Sequence, residues 1–450
     1  MMINKFNNHY IFSIAVSIYM IINFNDKSPF WGIMDDATSI RLSKQFSDKP
    51  FFTTIEWVAQ NNSHGMFRPF FVLQQYIQYI FYDFNNPFPT YALNIFIVTF
   101  GIFLFTRVFV NKNDLYIFYS LFLLWPYTYD WFIMPTLNEK FGLIFLSLSL
   151  LLKKRGLSAY LKLLFGIFAM LIKLNIVIFL PIVMYIEKTK NEKFYTTTGM
   201  MFGLIVQTFF FFYYPDSYYN TGLIETLQLI NFFTIQNLVV GVIVILVIID
   251  ILFLKNDTNT KYFLFSLLVS ISLSFIILNL RNSSFAYLGT ILIFPISIYL
   301  ISFINKLNLN KIKYIFLIVS LITSNLLFLT PRLERFNDIG NIISIKSENK
   351  SVYFCSEGRF MLNVWDTEEN NTENSFFSNF TDVVLSESIW VNSFSNNFNY
   401  IEYVESKNVS YIVDPYCDES LIFYTSILGC KFETLYKKEI IYIDSLDCST

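Results

Sequence analysis

The sequence predicts a polytopic α-helical membrane protein with a small α/β domain at its carboxyl end. Three observations predict it. Of 450 residues, 54% are hydrophobic, 20% aromatic and only 15% charged, with a mean hydropathy of +0.48; soluble domains carry roughly 25% charged residues. Apolar runs long enough to span a bilayer, or nearly so, recur from residue 9 to residue 330. All four cysteines, Cys355, Cys417, Cys430 and Cys448, fall in the more polar remainder.

The apolar runs lie at about 9–24, 91–110, 114–129, 140–152, 159–173, 175–187, 197–214, 237–254, 262–280, 284–304 and 314–330. At ~20 residues per helix they make about eleven spans. The first is read as a span rather than a cleaved signal, because no small-residue cleavage site follows it. The runs between 140 and 187 are short and poorly separated, so a kinked pair or a re-entrant segment is an alternative to two spans there. The long first loop, 25–90, contains mixed stretches Ala37–Phe46 and Phe51–Ala59. It also holds the nearly apolar Phe70–Tyr82, interrupted by Gln74, Gln75 and Gln78. That pattern suits helices lying at a membrane surface.

Lysine and arginine set the orientation. Arg107 and Lys112, then Lys153, Lys154 and Arg155, then Lys188, Lys190 and Lys193, then Lys255 and Lys261, then Lys306, Lys311 and Lys313 fall in alternate loops. Placing these loops in the cytoplasm puts the amino terminus inside and residues 331–450 outside. The cysteines then sit on an oxidising side, with zero, one or two disulfides. In this last part 351–355 and 410–414 read as strands, with Phe432–Tyr436 and Glu439–Ile443 as a closing hairpin. Helices are expected at Asn399–Val409 and Glu419–Leu428, and a loop at Glu368–Asn379. The net charge of −2 and the lack of a basic cluster interleaved with aromatics exclude nucleic acid as a partner. The cysteine spacings match no common zinc motif, and no metal site is predicted.

The charged residues that remain are few, and their positions point to chemistry. Asp35 and Asp36 follow the first span. A carboxylate at a water–lipid boundary can serve as a general base; an acid pair at a helix start is also favoured by the helix dipole alone. Arg68 is a permanently charged fork suited to phosphate, and Pro69 behind it starts the next apolar segment. His64, in the same loop, is a base or a ligand, or simply a loop residue. Glu139 and Lys140 open the fourth span, where an acid also suits a helix start; Asp130 is a weaker candidate of the same kind. Lys173 lies between two apolar runs, and charges there default to function unless they snorkel to the interface. Arg281 sits at another outer boundary, where it meets a phosphate or ends a helix. Asp250, near an inner boundary, reads as structural.

These residues resemble the pattern of the polytopic glycosyltransferases of the GT-C fold, which include the protein mannosyltransferases and the lipid A aminoarabinose transferase. The resemblance rests on Asp35-Asp36 in a long first outer loop, Arg68-Pro69 ahead of an interfacial helix, Glu139 at the fourth span, and Lys173 in a short-helix region with Pro181 downstream. An outward α/β tail is common in that group. The resemblance implies inverting transfer of a sugar from a polyprenyl-phosphate donor to a lipid, glycan or protein acceptor on the outer side. Asp35 or Asp36 would be the base, with Glu139 a further acid of the site. His64, Arg68, Lys140, Lys173 and Arg281 would bind substrate, the arginines and Lys173 at the donor phosphate. Some relatives use a divalent cation. Asn-, Lys-, Ile- and Phe-rich usage suggests an AT-rich bacterial genome, and the expected location is a bacterial inner membrane. The alternatives are a transporter or flippase, and a polymerase or ligase, of lipid-linked polysaccharide precursors.

Overall fold

The computed structural model describes residues 7–27, 50–55, 69–81, 88–133, 138–152, 157–190, 193–213, 235–253, 257–279, 290–306, 313–330, 333, 350–354, 380–385, 409–413, 432–436 and 440–443. The apolar runs form helices. They are α1 (Asn7–Lys27), α2 (Pro69–Phe81), α3 (Phe88–Phe109), α4 (Leu115–Leu124), α5 (Thr128–Ile133), α6 (Glu139–Leu151) and α7 (Leu157–Ile172). A 3₁₀ segment, Leu174–Phe179, follows, then α8 (Leu180–Thr189), α9 (Tyr195–Tyr213), α10 (Ile235–Phe253), α11 (Thr258–Asn279), α12 (Ile293–Lys306) and α13 (Lys313–Ser324). A π-helical turn, Asn325–Leu329, extends α13. By length and composition α3 can cross a membrane, and five shorter helical stretches of 10–17 residues among the described residues are apolar as well. The helical part is consistent with a helical membrane protein. The chain divides into two compact units, one of residues 1–22, 46–77 and 91–329, the other of 23–45, 78–90 and 330–450.

Two expectations about the helices are revised. The run at 114–129 is not one helix: α4 ends at Leu124, and Trp125 turns extended at ψ 113° ahead of Pro126. Proline has no N–H to give and forces its predecessor out of the helical region. The chain restarts as α5, a short buried helix in a stretch that reads as loop in the sequence. The region 140–187 forms helical elements on its three apolar runs. It is α6, then α7, then a break at Lys173, the 3₁₀ segment, and α8 with Pro181 in its first turn.

In the helical unit the polar groups face inward and the aliphatic groups outward. On α1 the inward stripe is His9, Ser13 and Ser17, four residues apart. His9 Nδ1 meets Thr106 Oγ1 at 3.3 Å, Ser13 Oγ meets the Tyr119 hydroxyl at 3.0 Å, and Ser17 donates to Thr99 Oγ1 at 2.8 Å. The opposite face presents Ile11, Ile14, Ile18 and Ile22, each more than half exposed. The same exposed aliphatic faces run along α9 (Phe202, Ile205, Phe209), α10 (Val242, Ile245, Leu252) and α13 (Ile315, Ile318, Ile322). Soluble surfaces rarely carry such contiguous apolar area.

Small residues set the closest helix contact. On α9, Gly199 and Gly203 are spaced as in a membrane helix-packing motif. A Cβ on Gly199 would lie 2.2 Å from the Leu163 carbonyl oxygen of α7, and one on Gly166 of α7 would lie 2.6 Å from the Thr196 carbonyl oxygen. Glu187 of α8 holds the start of α9. Its carboxylate accepts from the Thr196 and Thr197 N–H groups at 2.8 and 3.0 Å and from the Thr197 hydroxyl at 2.7 Å. These are backbone donors that a helix start leaves unpaired. Asp250 of α10 is paired with Lys306 of α12 at 2.6 and 2.8 Å, a structural role.

The second unit carries five strands, β1 (Lys350–Phe354), β2 (Phe380–Leu385), β3 (Val409–Val413), β4 (Phe432–Tyr436) and β5 (Ile440–Ile443). They form one sheet in the order β2-β1-β3-β5-β4. β1 is parallel to both β2 and β3, while β5 runs antiparallel to β3 and β4. Four strands fall where the sequence places them, and β2 is additional. The helix expected at Asn399–Val409 lies outside the described residues except for Val409, which starts β3 instead; the helix expected at Glu419–Leu428 and the four cysteines lie wholly outside them.

Candidate functional site

Three of the predicted site residues, Glu139, Lys140 and Lys173, are described, and all three are buried, at 2%, 1% and 9% exposure. Asp35, Asp36, His64, Arg68 and Arg281 lie outside the described residues. The loop stretch Ala37–Phe46 does so too, as do residues 56–59 of Phe51–Ala59; residues 51–55 are helical.

The site is built around a broken helix. α7 ends at Ile172, and Lys173 is extended, at φ −160° and ψ 138°, before the chain re-enters a 3₁₀ turn. A break leaves the last carbonyls of α7 without helical partners. Gln207 of α9 covers two of them: its Nε2 donates to the Met170 and Leu171 carbonyls at 3.4 and 3.3 Å. The 3₁₀ segment then passes close to α6, because position 142 is glycine. A Cβ there would come within 2.6 Å of Ile176 Cγ1 and Cδ1. This close approach brings Lys173 to the first turn of α6, where its Nζ donates to Glu139 Oε1 as a buried ion pair.

Lys140 has a different partner. Adjacent helical positions point ~100° apart, and Lys140 Nζ donates to Asn94 Oδ1 of α3. The Asn94 amide in turn donates to the Trp131 and Phe132 carbonyls, at 2.9 and 2.7 Å, at the end of α5. Asn94 thus ties α3, α5 and α6 at one point, and Lys140 is part of that tie. Two asparagines flank the ion pair in sequence, Asn138 before Glu139 and Asn175 after Lys173. Asn138 Oδ1 and Asn175 Nδ2 are buried with no hydrogen-bond partner among the described residues. Buried donors and acceptors in that state cost about 1–3 kcal/mol each.

α2 begins at Pro69 as expected, and Phe70 anchors it. The Phe70 ring lies 5.1 Å from that of Phe145 on α6 and 4.8 Å from that of Phe168 on α7. α2 therefore rests on the two helices that carry Glu139 and end at Lys173.

The sequence reading missed Asn94, Gln207, Asn138 and Asn175. A signal for the first two was present: each is a lone amide in an apolar run, Leu93-Asn94-Ile95 and Val206-Gln207-Thr208, and polar residues in such runs are expensive unless they bond across helices. Among the described residues there is no group of three or more His, Cys, Asp or Glu placed to hold a metal ion. The arrangement can do two things chemically. A lysine held by a carboxylate can release it to pair with an incoming anion, and a break in a buried helix opens backbone and side-chain polar groups to a ligand. No family model, curated protein or solved structure matches this chain.

Proposed function

We propose that the chain is a polytopic membrane glycosyltransferase of the GT-C type, with about eleven spans, its amino terminus cytoplasmic and residues 331–450 extracytoplasmic, in a bacterial inner membrane. It moves a sugar from a polyprenyl-phosphate donor to a lipid, glycan or protein acceptor. The observation that carries the reading is the buried Glu139–Lys173 pair at the broken helix, inside a bundle whose outward faces are aliphatic. An ion pair in such surroundings is costly to keep, so a role in binding a charged lipid-borne group accounts for it better than stability does.

In this reaction the acceptor hydroxyl attacks the anomeric carbon from the face opposite the phosphate. The bond from that carbon to the phosphate oxygen breaks, and polyprenyl phosphate leaves with the electron pair. Asp35 or Asp36 takes the acceptor proton. Arg68, Lys173 and Arg281 hold the phosphate as its charge develops, Glu139 keeps Lys173 in place until the donor arrives, and His64 and Lys140 complete the binding shell. A divalent cation at the phosphate is compatible with this scheme.

Sugar transfer by membranes carrying Asp35→Asn and Asp36→Asn separately tests the base. At least one variant is expected to lose about 10²–10⁴-fold in rate. Normal transfer by both, at equal expression, refutes an aspartate base at this pair.

One observation favours a second reading. Transporters place charged sites at interrupted helices, and Lys173 sits at such an interruption. A flippase for the same lipid-linked sugar would use the site to bind the donor without breaking a bond.

A further inference from the structure

Two buried amides beside the ion pair have unmet hydrogen-bonding capacity, and their chemistry selects one part of a lipid-linked sugar. Asn138 stands at the N-cap of α6, where an asparagine ordinarily accepts from the first N–H groups of its own helix. Here it makes no side-chain cap bond. Its Oδ1 is buried with no partner among the described residues, in a residue 7% exposed. Asn175, in the 3₁₀ segment, is 2% exposed, and its Nδ2 is in the same state. One is an acceptor without a donor, the other a donor without an acceptor.

Two contacts place the amides on facing elements. Lys173 pairs with Glu139, the residue after Asn138. Ile176, the residue after Asn175, lies so close to Gly142 that a Cβ there would come within 2.6 Å of it. Each amide is thus one residue from a contact between α6 and the 3₁₀ segment. Residues 139 and 142 are three apart, so the two contacts lie within about one turn, ~5.4 Å of rise.

Leaving such groups dry works against folding, and a ligand that supplies their partners accounts for them. A polyprenyl-phosphate sugar has three parts. The prenyl tail has no hydrogen-bonding atom. The phosphate diester carries acceptor oxygens only, so it cannot satisfy Asn138 Oδ1. A sugar hydroxyl both donates and accepts and can satisfy either amide. The Glu139 carboxylate beside Asn138 repels a phosphate and does not repel a neutral sugar.

We infer that Asn138 and Asn175 bind hydroxyl groups of the donor sugar, the group attached directly to the phosphate that Lys173 holds. They set which sugar is accepted and take no part in the chemical step. The inference rests on the donor reading given above.

The test measures binding to the purified full chain in nanodiscs, without acceptor. The probes are undecaprenyl phosphate esterified to glucose, galactose, mannose or arabinose, and its methyl ester, which has the same charge and no sugar. The wild type is expected to bind at least one sugar ester more tightly than the methyl ester. Asn138→Leu and Asn175→Leu are each expected to weaken that sugar ester about five- to a hundredfold, the cost of a hydroxyl left unpaired. Both are expected to bind the methyl ester as the wild type does. Because the orphaned atoms make no bond in the free chain, both variants are also expected to melt no lower than the wild type without ligand.

Sugar selectivity retained by either variant overturns the inference for that amide. A variant that melts lower without ligand, or that loses sugar and methyl esters alike, overturns it too, because the fold itself then uses the amide. A wild type that prefers no sugar ester over the methyl ester refutes the sugar site and leaves the phosphate site standing. Binding of none of the five lipids refutes the donor reading as well.

Discussion

Removing one member of the Glu139–Lys173 pair is predicted to cost far more than removing both. The two side chains are 2% and 11% exposed, so neither recovers hydration when its partner is lost. In Lys173→Met the Glu139 carboxylate stays in an apolar bundle without its cation; in Glu139→Gln the reverse holds. Breaking a buried pair in this way costs about 3–5 kcal/mol. At 1.4 kcal/mol per factor of ten, that is roughly a hundred- to a few-thousand-fold in the unfolding equilibrium. The double variant Glu139→Gln/Lys173→Met replaces the pair with groups of similar volume and no charge, and is expected within about 1 kcal/mol of the wild type. The coupling, the double variant's cost less the costs of both single variants, is therefore at least ~5 kcal/mol in magnitude, above the ~0.5–3 kcal/mol usual for residues in contact. Reversible unfolding of the purified chain in mixed micelles, followed by tryptophan fluorescence, supplies the three differences. Single variants that each cost under about 1 kcal/mol and add in the double variant would refute the buried pair. The double variant also separates stability from function: it is expected to fold normally and still fail to transfer sugar, because Lys173 is missing from the phosphate.

Three further outcomes follow from the packing. Gly199→Ala is expected to destabilise the fold by about 1–3 kcal/mol or more, since its Cβ would meet the backbone of Leu163 and Ile167; Gly241→Ala, with open space around it, is expected to stabilise by about 0.5–1 kcal/mol, and thermal melting in detergent compares the two. Asn94→Leu removes one acceptor of Lys140 and the amide donor to two carbonyls, so it should cost about 1–3 kcal/mol for each group left unsatisfied, whereas Asn94→Leu/Lys140→Met should recover part of the loss on the same assay. Asp257 caps α11, accepting from the Thr260 N–H at 3.1 Å, and hydrogen bonds from the Thr260 side chain and backbone hold its carboxyl below the usual aspartate range. A depressed folded-state pKa gives stability that is present above the ordinary value and lost as pH falls through the folded one, so the melting-temperature gap between wild type and Asp257→Ala should close on acidification and persist at neutral pH.

The helices and most strands were legible in the sequence because hydrophobic length and alternation are local signals. Twelve consecutive apolar residues commit a segment whatever lies beside it. The break after Trp125 was half legible: Pro126 marks it, but α5 beyond it is a six-residue helix held by burial, and nothing in six residues signals that. β2 was missed because Asp382 and Thr381 interrupt its apolar pattern and only pairing with β1 fixes it as a strand. At the site, Glu139 and Lys173 were each visible as charges out of place, yet their meeting depends on Gly142 and on the 3₁₀ segment that packs against it. Lys140 reads in the sequence as a substrate ligand beside Glu139; its partner Asn94, 46 residues away, shows the tie to α3 that the sequence does not.

The central claim is that a bond to the donor phosphate is broken. The measurement that tests it most directly uses the purified full chain in liposomes containing a radiolabelled polyprenyl-phosphate sugar and a bacterial envelope lipid acceptor. Polyprenyl phosphate is expected to appear in step with labelled acceptor of inverted anomeric configuration, and Lys173→Met is expected to abolish both. Movement of the intact donor between leaflets, with no polyprenyl phosphate released, would contradict it and identify the buried pair as a transport site.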